Sequence, residues 1–474
     1  MVFHSANFLI FFIGLLVVFF TFRRGRLLIL AIGNAIFYGA AGFSLLVVFF
    51  AVSLATYGAA LMMRRPRLRW LFHAGIAVNL LNLGFFKYTL FVADTVQSVF
   101  DWFGVSVPIF EWVPAEIILP VGISFYTFQL ISYLIDVRRG ELEPTRSFLK
   151  FWVFISLFPQ LVAGPIMRGS ELLPQLDDLD RKQVRWEQIK FGLYLIVIGL
   201  IKKVVFADTI AQYVNPLFEK GLEMSAVEAW WAAYLFGFQI YFDFSAYSDM
   251  ALGLGWMLGI ELVVNFRTPY VSANPKEFWS RWHISLSRWI RDYIYIPLGG
   301  NRRGRLRTQF NLLAAMMLSG LWHGAMWTFV VWGAVHGVLQ IIHRWSLELN
   351  RFGVIERVRR SLPYRIIAVF IFYHIMTWTW VFFRAQSMTL AWDMTVKMWT
   401  VSWPELFTST PMFAIAALYL LHLLELGLRG REETVSRVWH AVPFPLRSAC
   451  YFAIVLLLFY FLKGETYEFI YFQF

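Results

Sequence analysis

Apolar residues run along this chain in long blocks, separated by short polar or basic breaks. A membrane-crossing helix needs about 20 mostly apolar residues. Blocks that approach or meet that length lie at roughly 3–22, 27–42, 44–63, 70–92, 117–135, 148–167, 188–206, 228–260, 309–343, 366–384, 411–428 and 447–463. The first lacks the basic start and small-residue cleavage site of a removable signal, so it reads as a retained span. With no internal repeat or low-complexity linker, residues 1–474 read as a single integral-membrane domain, an all-α polytopic membrane protein.

The breaks orient the spans. Arg23, Arg24 and Arg26 follow the first block, and Arg64, Arg65, Arg67 and Arg69 follow the third. Positive loops stay in the cytoplasm, which puts the N-terminus outside. The 94–116 loop agrees, carrying Asp94, Asp101, Glu111 and Glu116 and no basic residue. Two blocks, 148–167 and 309–343, have basic flanks on both sides and are expected to be re-entrant or hairpins of helices. Irregular backbone at membrane depth is tolerated only where it is buried in protein or lines a cavity. Continuing the count places Phe474 outside.

Composition narrows the class. Hydrophobic residues make up 59% and charged residues 15%, where a soluble domain carries about 25% charged. That excludes a soluble globular enzyme, a disordered chain and a disulfide-built module. The 49 Phe and 21 Trp exceed what interfacial belts use, so many must line buried space. Cys450 is the single cysteine, leaving no internal disulfide and no cysteine-zinc site.

The net charge of +12 is concentrated. Residues 265–308 hold nine basic residues against Glu277 and Asp292. One reading is positive-inside anchoring; the other is a docking surface for a cytoplasmic polyanion such as a nucleotide-bearing donor. Asn274-Pro275-Lys276-Glu277 looks like a helix start, with Asn274 as cap, proline at the first position and Glu277 completing a capping box. Helical spacing gathers Phe278, Trp282, Leu286, Trp289, Ile290, Tyr293 and Ile294 on one half. Arg281, Ser285, Arg288, Arg291 and Asp292 share the other. This predicts one amphipathic interfacial helix ended by Pro297 and Gly299-Gly300. Arg281, Arg288 and Arg291, with Arg302, Arg303 and Arg305 beyond, are the candidate donor-phosphate ligands.

His283 falls in the apolar half, either as a packing histidine or as a working one. His323 stands in Leu318-Ser319-Gly320-Leu321-Trp322-His323-Gly324-Ala325, deep in a block expected to be buried. Ionisable residues at that depth are costly and mark function, so His323 is the candidate general base. His336 and His343 read as packing or interface residues. No HExxH, cysteine or acidic cluster suggests a metal. No Walker loop, dinucleotide motif or GxSxG elbow is present. Histidine base chemistry in a membrane cavity remains, and transfer of an activated acyl group to a hydroxyl fits it without a metal.

The run Lys276 to Ser287 (KEFWSRWHISLS), with Trp289 to Arg302 (WIRDYIYIPLGGNR), resembles the membrane-bound O-acyltransferase family, most closely its bacterial alginate O-acetyltransferase branch. Similar matches are Pro120 to Gln129, Ala163-Gly164-Pro165-Ile166, Asp243 to Asp249, Trp322-His323-Gly324 and Phe469 to Phe474. The resemblance implies a ring of about 11 transmembrane helices, with re-entrant and interfacial helices, around a tunnel. It implies His323 as the catalytic histidine and His283 as the second polar motif residue. It also implies acetyl-CoA as donor substrate with no permanently bound cofactor. The setting would be a bacterial inner membrane, with a periplasmic SGNH-type acetyltransferase partner and a polysaccharide, alginate foremost, as the indirect acceptor. Acylation of peptidoglycan or teichoic acid is the second reading and a transporter or flippase the third. Nucleic acid is not an expected partner.

The segment Phe469-Ile470-Tyr471-Phe472-Gln473-Phe474 is uncharged and aromatic. It reads as an interfacial anchor, or as a tail folded into the outer mouth of the tunnel. In the second case Tyr471 supplies its only hydroxyl and is expected to serve as an acyl relay.

Overall fold

A computed structural model describes residues 3–105, 107, 113–114, 116–348, 357–359, 361–464, 467 and 469–470. Regular elements among them are all helical. Five helices are long and apolar enough to cross a membrane: Phe43–Met62, Pro66–Trp102, Leu362–Arg384, Thr410–Leu428 and Phe444–Leu462. The chain is a polytopic membrane protein.

Several other apolar blocks are bent, broken or deeply buried. The first two, read as separate spans, form the helices Ala6–Thr21 and Arg23–Gly39, which meet at 112°. The first, 16 residues long, measures about 24 Å, short of the ~30 Å hydrocarbon core. Arg26 holds the bend. Its guanidinium donates to the carbonyls of Phe19 (3.2 Å), Leu179 (3.2 Å) and Lys182 (2.5 Å), and its backbone N–H to Asp180 (3.0 Å). An arginine read as a cytoplasmic loop charge is therefore a buried staple for carbonyls that lack helical partners.

Contacts group the chain into two compact units, Met1–Val197 with Tyr247–Val263, and Ile198–Ala246 with Val264–Phe474. In the first, the 148–167 block splits into Phe148–Ser156 and Phe158–Leu161. The Phe158 N–H, released at the break, donates to Asn34 Oδ1 at 3.1 Å. The Phe158 ring packs among Phe8, Phe11, Phe12 and Phe37 at 5.5–6.1 Å. Residues 151–167 are buried without interruption. Broken backbone thus sits where membrane proteins tolerate it, inside protein.

In the second unit the 309–343 block forms the expected hairpin, Arg305–His323 and Trp327–Glu348. Glycines set the closeness of its arms. A Cβ on Gly320 would lie 2.1 Å from the Phe329 carbonyl oxygen, and one on Gly333 2.2 Å from that of Met316. Small residues here let backbone meet backbone, the packing available to helices without a hydrophobic drive between them. The helix Ala226–Met257 is buried continuously from residue 232 to its unit boundary at Ala246, as a helix apolar on all sides should be.

Candidate active site

The segment that carries His283 begins as its sequence dictates. Asn274 Oδ1 accepts the Glu277 N–H at 2.9 Å, and Pro275 occupies the first helical position. The Glu277 carboxylate reaches the Ala273 N–H at 3.0 Å, one residue before the usual capping-box target. The single amphipathic helix expected from the pattern does not form. Helix Pro275–Trp279 stops, Ile284–Ile290 starts afresh, and a π turn, Arg291–Tyr295, follows.

His283 stands at the restart in the left-handed region, φ 41° and ψ 57°. This costs a non-glycine residue about 1–2 kcal/mol and persists only where the surroundings impose it. Asn265 imposes it here. Its carbonyl accepts the Ile284 N–H at 3.0 Å and its Oδ1 the Ser285 N–H at 3.1 Å. Alongside, the Arg267 N–H donates to the Arg281 carbonyl at 2.9 Å. Periodicity breaks because these fixed hydrogen bonds outweigh the helical preference of residues 280–283. Nothing in the pattern marked Asn265, whose task is to cap backbone twenty residues away.

His283 and His323 come together. They are 0% and 2% exposed, with ring centroids 6.4 Å apart. Trp322 borders both rings, at 5.9 Å from His283 and 5.0 Å from His323. Phe244 closes the His283 side at 4.7 Å, and Trp332 and Phe383 close the His323 side at 5.2 and 5.3 Å. His323 is the last residue of its helix, and Gly324 beyond it is extended. A Cβ on Gly324 would fall 2.0 Å from the Phe329 ring. Only glycine lets that ring close beneath the turn. Burial pushes the His283 pKa down to about 3, so this imidazole is neutral at pH 7. Imidazoles walled by aromatics can accept a proton from a reacting hydroxyl, and the walls can exclude water from a reactive acyl group.

His336 is buried against Trp332 (4.5 Å) and Trp279 (5.1 Å), and His343 lies further along the same helix, half-buried. Carboxylates already hold the candidate arginines Arg281, Arg291 and Arg305. Arg281 binds Glu277 at 2.8 Å and also the Arg267 carbonyl. Arg291 binds Asp292 at 2.6 Å, and Arg305 binds Glu348 at 3.1 Å. Arg302 and Arg303 are exposed beside Gly299-Gly300, and Arg288 is half-buried.

Within the 469–474 segment, Phe469 and Ile470 are buried, unlike an anchor lying in an interface. The Phe469 ring lies 5.8 Å from Phe244, the residue that also touches His283. Tyr471 lies outside the described residues. Acidic partners for this segment, Asp243 and Asp208 with Lys203, were not singled out as site residues by the sequence pattern, although Asp243 opens one of its motifs.

Comparison with known proteins agrees with this chemistry. Residues 141–383 match the family model "MBOAT, membrane-bound O-acyltransferase family". The chain is 40% identical over 415 residues to the probable alginate O-acetylase AlgI of Azotobacter vinelandii, covering 85% of this chain and 80% of that one. It is 38% identical over 399 residues to the protein of the same name from Pseudomonas putida, covering 82% and 79%. The peptidoglycan O-acetyltransferase of Helicobacter pylori is 37% identical over 341 residues, covering 67% and 62%. This chain belongs to the membrane-bound O-acyltransferase family and is an O-acyltransferase.

Proposed function

We propose that the chain takes acetyl from cytoplasmic acetyl-CoA and passes it across a bacterial inner membrane for O-acetylation of an extracytoplasmic polysaccharide, alginate foremost. The observation that carries this reading is the buried pair His283 and His323, walled by aromatics of which Phe244 also packs on Phe469. We read residues 1–474 as one functional membrane domain, a ring of about 11 helices around a tunnel.

In this scheme His323 accepts the proton of an attacking hydroxyl as its oxygen bonds to the thioester carbonyl carbon. The carbon–sulfur bond then breaks, and the CoA thiolate leaves with a proton. His283 is the second polar group beside the acyl carbon. Arg281, Arg288, Arg291, Arg302, Arg303 and Arg305 supply the positive field for the donor phosphates, with Arg291, Arg302, Arg303 and Arg305 exposed. Tyr471 is the first acceptor. Its phenolic oxygen carries the acetyl as an ester, and a periplasmic SGNH-type acetyltransferase takes the group on to the polymer. Two short transfers replace one across the whole membrane, the usual benefit of covalent catalysis.

Likeness to the Helicobacter pylori protein supports peptidoglycan as the second acceptor, and teichoic acid is a further one. Expression in an alginate-producing host lacking its own alginate O-acetylase separates them. Restored acetyl groups on alginate support the first reading. Acetylated peptidoglycan with bare alginate supports the second.

A further inference from the structure

Three buried charges lie outside the chemistry described so far. Lys203 is 1% exposed, and its Nζ lies 2.8 Å from Asp208 Oδ1 and 3.0 Å from Asp243 Oδ1. Taking such groups out of water is costly, and apolar side chains would pack as well. The cluster has a second set of partners that an apolar trio could not hold. Lys203 Nζ donates to the Tyr467 carbonyl at 2.8 Å. The Ile470 N–H donates to Asp243 Oδ2 at 2.8 Å. Asp208 accepts the backbone N–H of Tyr467. All three contacts go to backbone, so the grip acts on the chain itself, while Phe469 between the gripped positions packs on Phe244 beside His283.

We propose that Lys203, Asp208 and Asp243 form a backbone clamp, a set of positioning residues that grips Tyr467 and Ile470 and so holds Phe469 against Phe244. The Phe469 ring is thereby fixed beside the residue that borders His283. The clamp rests on the reading of His283 and His323 as an acyl-transfer site, and it does not require any one residue of the segment to carry acetyl. Charge suits the task because ionised groups bond backbone more strongly than neutral ones. Lys203 lies within ion-pair distance of both carboxylates, so the clamp holds as a unit.

The test is hydrogen exchange by mass spectrometry on the full chain in nanodiscs, together with acetyl-CoA kinetics. Residues 467–470 should be protected in the wild type. In the combined variant Lys203→Met, Asp208→Asn and Asp243→Leu, which leaves no buried charge, their exchange should quicken by about tenfold or more while the spans exchange as before. The turnover number should fall by about a hundredfold, the scale of a misplaced reacting group, with the acetyl-CoA KM unchanged. Wild-type protection in that variant, or free exchange of the segment in the wild type, would overturn the clamp. Should the combined variant fail to fold, Ile470→Pro removes the backbone N–H that donates to Asp243 Oδ2 and leaves the cluster intact. Faster exchange at Tyr467 with a lower turnover number supports the clamp, and a wild-type turnover number contradicts it. Exchange requires no acetyl transfer, so the clamp and the acyl-transfer reading can fail separately.

Discussion

The imidazoles of His283 and His323 lie 6.4 Å apart with Trp322 bordering both. They arrive from different kinds of backbone. His323 ends a regular helix, whereas His283 occupies a left-handed turn. This difference makes the two separable by substitution. At position 283, glycine fits the backbone better than alanine, by about 1–2 kcal/mol. His283→Gly should therefore melt above His283→Ala, while both lose transfer because the ring is gone. Thermal unfolding and acetyl transfer measured side by side check this. A fully active His283→Gly would reduce position 283 to a turn.

Asn265 should behave as the support of that turn. Asn265→Ala strands the buried Ser285 N–H, at a cost of about 1–3 kcal/mol. Asn265→Asp keeps an acceptor at the same place. We expect alanine to lower both the melting temperature and the turnover number, and aspartate to recover much of each. Equal loss in both variants would show that the side-chain bond to Ser285 is not what holds the turn.

How much of this was legible in the sequence depends on the kind of interaction. The hairpin of 309–343 followed from basic flanks on both sides of an apolar block, and its Gly320 and Gly333 stood in plain view. The Asn274 cap followed from local residue types. The continuous helix through His283 was wrong because periodicity reports a preference, which Asn265 overrides from a distance. The bend beside Arg26 was hidden for a similar reason. Loop arginines look alike in sequence, and only the fold decides which one finds three carbonyls. The histidine pair needed both segments brought together, though each histidine was marked by its own polarity in an apolar setting.

The arginines should divide by their present partners. Reversing Arg302 and Arg303 together to glutamate should raise the acetyl-CoA KM and flatten its dependence on salt, with the turnover number kept. Reversing Arg305 should do less to the donor, since it first breaks an exposed pair with Glu348 worth about 0–1 kcal/mol. Initial rates across a range of ionic strengths decide it. A donor KM unmoved by the double reversal would leave that basic run only the task of orienting the chain.

Tyr471→Phe removes one oxygen and keeps the ring. As the acyl relay, Tyr471 is required for acetate to reach polymer, so the variant should bind acetyl-CoA with unchanged Kd yet leave the polysaccharide bare. Mass spectrometry of the wild-type chain, trapped with donor and no periplasmic partner, should find one added acetyl group on this residue. Full polymer acetylation by the variant would return the segment to an aromatic anchor.

The central claim is that His323 is the general base of acetyl transfer, and its most direct measurement is the rate at which purified His323→Ala consumes acetyl-CoA. The variant should insert, melt and elute like the wild type, since an apolar side chain is inexpensive in that aromatic pocket. Its rate should fall by about 10²–10⁴-fold, the usual contribution of a positioned base. A folded variant that keeps more than about a tenth of the wild-type rate would contradict the account.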